Sequence, residues 1–232
     1  LPVVLVDAST GKVVSEFRTF VKPMVHPVLT EFCRELTGIT QDQVDAAPTF
    51  PEALKMLEQW LASHGLGGSD SSKSVLFVTD GDWDLRSMMP KQCALSEVDH
   101  PDFLKYWQDV KVLFSDCLRD KPRSLLSMCQ TLGIQFKGQA HSGIADARNI
   151  ARVLLALLSE YPVCAQASGK IKGLDEETAD GQQLGLMSAQ GSHEDRTEST
   201  VCARLALMVA GVAEHELEDT LRSMKLSRDE IK

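Results

Sequence analysis

The sequence predicts an α/β protein, a mixed sheet flanked by helices. Three observations predict it. The short apolar run Val75-Leu76-Phe77-Val78 carries turn signals on both sides and reads as a buried strand. Two β-prone stretches surround the turn Asp7-Ala-Ser-Thr-Gly-Lys12. Helical stretches follow at 3.6-residue spacing, the clearest being Ile150, Val153, Leu154 and Leu157 on one face. Strands interleaved with amphipathic helices bury both faces of a sheet.

The elements run in order. Val3–Val6 and Val13–Val21 form a hairpin around Gly11. Thr30–Leu36 is helical and closes at Gly38. A turn and a short helical piece lead to a helix from Phe50 or Pro51 to about Ser63, with Leu54, Leu57, Trp60 and Leu61 as its buried face and Pro51 in its first turn. After a Gly/Ser loop and the strand Ser74–Thr79, a helix begins at Asp82-Trp83-Asp84. A further helix precedes a strand near Val110–Phe114, and Ser124–Ile134 holds a short helix ended by Gly133. Residues 138–158 supply the last helix of a domain spanning 1–164. Residues 165–200 turn to Gly, Ser, Gln, Asp and Glu, the composition of a disordered linker. Residues 201–232 regain helical spacing through Leu205, Val209, Val212, Leu217, Leu221 and Met224. The chain starts at Leu1 within a strand, so native sequence is expected upstream, and the C-terminus is expected to be cut short.

Charge narrows the function classes. The net charge is −9. Residues 1–164 carry 16 basic and 20 acidic groups and residues 165–232 carry 8 and 13, net −4 and −5. This balance excludes wholesale electrostatic attraction to nucleic acid or an anionic membrane, while one local basic groove still suffices for an enzyme that acts on nucleic acid. The six cysteines form no CxxC pair and no zinc spacing, which points to reduced thiols and an intracellular compartment, cytoplasm or nucleus, with an organelle left open. No apolar run reaches transmembrane length.

Three carboxylates, Asp80, Asp82 and Asp84, follow the buried strand at alternate positions. Aspartates favour turns and helix caps, so each has a purely structural explanation. An EF-hand loop starting at Asp80 needs Gly at its sixth position and Glu at its twelfth, where Leu85 and Lys91 stand. The haloacid-dehalogenase-type pattern hhhDxDxT is met only in part, because Asp84 fills the Thr position. His215-Glu216 is no zinc-protease motif, since Asp219 holds the place of the second His. Asp146 sits one turn before Ile150, at the head of an apolar stripe, with His141 five residues earlier. A carboxylate and an imidazole aimed at the core require partners.

Together these stretches resemble the DEDDh exonucleases. Their third motif, HxAxxD, is matched by His141-Ser-Gly-Ile-Ala-Asp146, with Gly143 in the usual Ala position, and their second, N-x-x-F-D, by Asp80-Gly-Asp-Trp-Asp84. The ordered strings FVKP, LTGIT, QVDAAPTFPEAL, DGDWDL, QC and HSGIADARNIARV resemble the Eri-type (enhanced-RNAi) 3′–5′ exoribonucleases over about residues 1–158. The resemblance implies a ribonuclease H-like fold with the active site at strand ends and an adjoining helix. It implies two divalent cations, Mg²⁺ or Mn²⁺, clamping the scissile phosphate, with Asp84 and Asp146 as ligands. It gives His141 the role of general base, for which imidazole suits because it titrates at about 6.5 when unperturbed. The substrate implied is a single-stranded RNA 3′ end, released as nucleoside 5′-monophosphates.

The pattern departs from the family in two places. The first motif, D-x-E on the first central strand, is absent: Asp7 is followed by Ala8 and Ser9, and Glu16 lies on the other strand of the hairpin. The sheet is therefore expected to lack its first central strand, leaving a gap and a metal site short of carboxylates. The alternative function is a catalytically inactive RNA- or protein-binding module. Gln139 and Ala140 replace an Arg-Pro pair before His141, so phosphate contacts fall to Lys121, Arg123 and Lys137, each with an ordinary solvated surface as its alternative. Asp80 is a further substrate-side candidate. Trp83 is read as packing on the sheet, with base stacking as the alternative. No membrane partner is expected, and residues 201–232 are a candidate surface for a protein partner.

Overall fold

The structure, a computed structural model, describes residues 1–66, 75–122, 124–161, 167–171 and the backbone of 204–208. The hairpin forms as β1 (Pro2–Asp7) and β2 (Lys12–Arg18), the second strand ending short of Val21. Helices α1 (Glu31–Thr37), α2 (Gln41–Asp45) and α3 (Phe50–Ser63) follow. Thr30 caps α1 by accepting from the Cys33 N–H, and Gly38 closes it in the left-handed region at φ +69°. Strand β3 (Val75–Thr79) opens into a π-helical turn at Asp84–Met88 and then α4 (Met89–Leu95). Strand β4 (Tyr106–Asp109), α5 (Val110–Leu118), α6 (Leu125–Thr131) and α7 (Gly143–Glu160) complete the region up to residue 161. Two further strands come from beyond it, β5 (Gly169–Lys170) and β6 (Arg204–Met208).

The strands join in one mixed sheet ordered β2-β1-β6-β3-β4-β5. β6 pairs antiparallel with β1, Leu5 opposite Ala206, and parallel with β3, Phe77 opposite Ala206. The sheet has helices on both faces. Val3 and Leu5 point to one face, with Phe77 and Trp107, and pack on α3 and α4. Val4 and Val6 point to the other, with Val78, and pack on α5, α6 and α7. This period-two division of one fully buried strand between two cores is why Val3–Val6 is apolar without interruption.

Four expectations are corrected. Val110–Phe114 is helical, not a strand. Asp109 accepts from the Lys111 N–H at 2.8 Å and caps the helix, and Val110, Leu113 and Phe114 are buried at i, i+3, i+4 spacing. The strand lies just before it, at Tyr106–Asp109. Residues 204–208, read as part of a helix, form a strand because the slot between β1 and β3 offers backbone partners on both sides. The expected central gap is thereby filled, from the far end of the chain. Within the stretch read as linker, Gly169 and Lys170 pair with Trp107 and Tyr106. The rest of 172–203 and 209–232 lies outside the described residues.

The short edge strand β5 depends on a close approach. A Cβ on Gly169 would stand 2.3 Å from Cε2 of Trp107, a ring with no exposure. Gly169→Ala is expected to lower stability by about 1–3 kcal/mol, the usual cost of overpacking a tight site. A shift of the urea midpoint at unchanged slope measures it; an unchanged midpoint would show that β5 does not seat on Trp107.

Candidate active site

The C-terminal end of β3 is the first component. Thr79 is fully buried, and its hydroxyl donates to the Gly81 carbonyl, folding the chain over the end of the strand. The neighbouring strand holds this turn in place: Asp109 Oδ1 accepts from the Gly81 N–H at 3.0 Å as well as from Lys111. Burial raises the Asp109 carboxyl above its ordinary range, and these two backbone donors oppose the shift. Asp80 faces Lys111, Nζ to Oδ1 3.2 Å, without the geometry of a hydrogen bond. Asp82 pairs with Arg86 at 2.6 Å one turn ahead. Asp84 opens the π-helical turn. Trp83 is partly buried, with the Lys91 ammonium over its ring 5.7 Å from the centroid.

The head of α7 is the second component. Asp146 lies in its first turn and is 9% exposed. The backbone N–H of His141 donates to the Asp146 carboxylate, and the imidazole attracts it electrostatically. Burial outweighs both, and the negative charge of Asp80 adds to it, so the Asp146 carboxyl is pushed up to about 6. His141 itself has φ +66°, a left-handed conformation that few non-glycine residues adopt. Strain of this kind clusters at functional sites because the surroundings over-determine it.

Sequence reasoning placed His141 and Asp146 at this site, and the structure brings them into contact. It also sets the charge of Asp80 within reach of Asp146. Lys137 and Lys121 are exposed, and Arg123 lies outside the described residues. Two contributors were missed. Lys111 neutralises Asp80, but nothing in its local sequence signals that role. Asn149 is buried with no exposure three residues after Asp146; a polar residue on the inward stripe of an apolar helix was its signal.

The donor set tests the fit to divalent metal. Among the described residues, no three His, Cys, Asp or Glu side chains come together as a group able to hold a metal ion. The strand β6 fills the centre of the sheet beside β3, and its sequence, Arg-Leu-Ala-Leu-Met, contains no carboxylate. The described residues therefore do not complete a two-metal centre.

The fold and site are those of an α/β sheet flanked on both faces, with a buried aspartate and a strained histidine at the head of its last long helix. A family model described as Exonuclease matches residues 1–154. The chain belongs to this exonuclease family, on its DEDDh, Eri-type branch. Family members generally use divalent metal ions. The 3′-5′ exoribonuclease 1 of Mus musculus is 39% identical over 162 residues, covering 68% of this chain and 46% of that protein. ERI1 exoribonuclease 3 of Homo sapiens is 39% identical over 157 residues, covering 67% and 46%. The crystallographic structure of the nuclease domain of 3′hExo, a DEDDh family member bound to rAMP, superposes with a TM-score of 0.68 at 35% identity, covering 73% of this chain and 84% of that one. This likeness bears out the ribonuclease H-like fold. The chain spans about half the length of the curated relatives it matches, 46% in both cases above.

Proposed function

We propose that the protein is a 3′–5′ exoribonuclease that hydrolyses single-stranded RNA 3′ ends and releases nucleoside 5′-monophosphates. The observation that supports this most is His141 held against Asp146 at the buried head of α7, in a chain of the exonuclease family. In this reading the His141 imidazole takes a proton from water. The water oxygen attacks phosphorus in line, the bond to the penultimate 3′-oxygen breaks, and a proton passes to that oxygen. A pair of Mg²⁺ or Mn²⁺ ions would be held in part by Asp84 and Asp146 and would polarise the scissile phosphate. Lys121, Arg123 and Lys137 face phosphates, and Asp80 and Trp83 line the substrate side. Segment 201–232, apart from the strand 204–208 taken up by the sheet, is the candidate contact for a protein partner, and the compartment is intracellular. The four described cysteines, Cys33, Cys93, Cys117 and Cys129, are free thiols, in keeping with a reducing environment.

One observation favours a second reading, an RNA-binding module that does not cut: the acid-free strand β6 stands in the middle of the sheet. A single assay separates the two. A 5′-labelled single-stranded RNA is incubated with Mg²⁺ or Mn²⁺ and the chain, either as it stands or preceded by a strand carrying D-x-E. Shortening from the 3′ end is expected in the second form. His141→Ala and Asp146→Ala should each lower that rate by about 10²-fold or more. Undiminished activity in both variants rejects the site. RNA binding with no shortening in either form establishes the second reading.

A further inference from the structure

The left-handed backbone of His141 must be held by something, and the last long helix shows what holds it. Asn149 donates from Nδ2 to the Lys137 carbonyl at 2.8 Å, and its Oδ1 accepts from the Lys137 N–H at 3.1 Å. This side chain therefore satisfies both backbone groups of one residue, as a neighbouring strand would. Nδ2 also donates to the Ala145 carbonyl at 2.8 Å, within the helix. Arg152 extends the clamp by one turn: a single nitrogen donates to the Gln135 carbonyl at 2.6 Å and to Asn149 Oδ1 at 3.0 Å. The Asn149 amide thus uses both its donors and accepts twice, in a site with no exposure.

The clamp leads directly to the histidine. The residue after Lys137 is Gly138, with φ +92°, and a Cβ there would lie 2.8 Å from the Cβ of Ala145. The loop thus lies on the first turns of α7 closely enough that a side chain is excluded. Three residues further on, His141 turns into the left-handed region and sends its N–H to Asp146. The Ser142 N–H returns to the Gln139 carbonyl at 3.2 Å, closing the turn. Asp146 and Asn149 stand three residues apart on α7, so one rigid helix carries both the carboxylate and the side chain that anchors the histidine loop.

We propose that Asn149, assisted by Arg152, is a positioning residue: it fastens segment 135–137 to α7 and thereby fixes where His141 stands relative to Asp146. It touches no reacting atom. The proposal rests on reading His141 and Asp146 as the reacting pair, but its test does not require hydrolysis.

The test uses the full chain, comparing wild type with Asn149→Leu, which keeps the branched shape and removes the polar amide. Amide hydrogen exchange is followed residue by residue, together with the imidazole resonances, that of His141 being assigned through His141→Gln. The expected result is exchange about tenfold faster at Lys137, His141 and Ser142, the scale of one lost hydrogen bond. Amides in the interior of α7 and in β3 should hold their wild-type rates. The His141 ring resonance is expected to move, while those of His64 and His100 stay in place. Arg152→Ala, at a partly exposed position, should reproduce the pattern at smaller amplitude and serves where Asn149→Leu does not fold. Uniformly faster exchange, or a stationary His141 resonance with an opened 137–142 segment, would overturn the proposal by making Asn149 a general packing residue. A positive result, with no RNA shortened by the chain either as it stands or preceded by a strand carrying D-x-E, would uphold the clamp and reject the nuclease reading.

Discussion

Asp146→Asn is expected to stabilise the metal-free protein at about pH 7.5. The Asp146 carboxyl ordinarily titrates at 3.8 and is pushed up to about 6 in the fold, chiefly by burial. The unfolded chain therefore gives up its proton more readily than the folded one. Well below pH 3.8 both forms are protonated and the group costs nothing. As pH rises towards 6 the unfolded state gains from ionisation first, and stability falls; above 6 the loss is complete. The displacement corresponds to about 3 kcal/mol. Asparagine stays neutral, keeps an oxygen for the His141 N–H, and escapes the loss. Urea unfolding in EDTA at about pH 4 and about pH 7.5 measures it: the variant should gain at the higher pH and show little difference at the lower. Equal stability at both would mean that the carboxylate is already compensated in the metal-free fold.

Ala206→Pro is expected to prevent the domain from folding. Ala206 lies mid-strand in β6, opposite Leu5 on one side and Phe77 on the other. Proline has no N–H to give and is confined to edge strands, whereas β6 is central. Each buried backbone group left unpaired costs about 1–3 kcal/mol. Losing β6 exposes inner edges on both β1 and β3, against a total stability that is usually about 5–15 kcal/mol. The expected observation is the loss of a cooperative thermal transition and of soluble yield; a wild-type melting curve would show that the sheet does not need this strand. The same substitution at Val13 of the hairpin's outer strand β2 should be far milder, because an edge has partners on one side only.

The contrast between well-read and misread elements has a physical basis. Helices α3 and α7 were legible because each is long and its buried residues repeat at one angular spacing, a signal that needs no knowledge of the neighbours. β3 was legible as a short apolar run between turns. The stretch Val110-Lys-Val-Leu-Phe114 alternates as a strand does and also carries a helical i, i+3, i+4 set; Asp109 decided the matter by capping the helix. Arg204–Met208 satisfies a helical pattern locally, and its strand conformation comes from partners distant in the chain. At the site, His141 and Asp146 were found because their spacing is a local pattern. The anchoring role of Asn149 was not found, because it is exercised on Lys137 across a loop.

By itself the sequence determined the α/β class, the two-faced core, and the identity of the histidine and aspartate that meet at the head of the last helix. The first two follow from periodicity and the pair from a spacing that resembles the DEDDh third motif, and these are patterns within a few residues. Tertiary structure alone decided which segment completes the centre of the sheet, how strongly Asp146 is pushed towards its neutral form, and what holds His141 in a left-handed turn. The reason is the same in all three: strand pairing, burial and a clamp across a loop are properties of groups brought together from separate parts of the chain, and no single stretch of residues contains them.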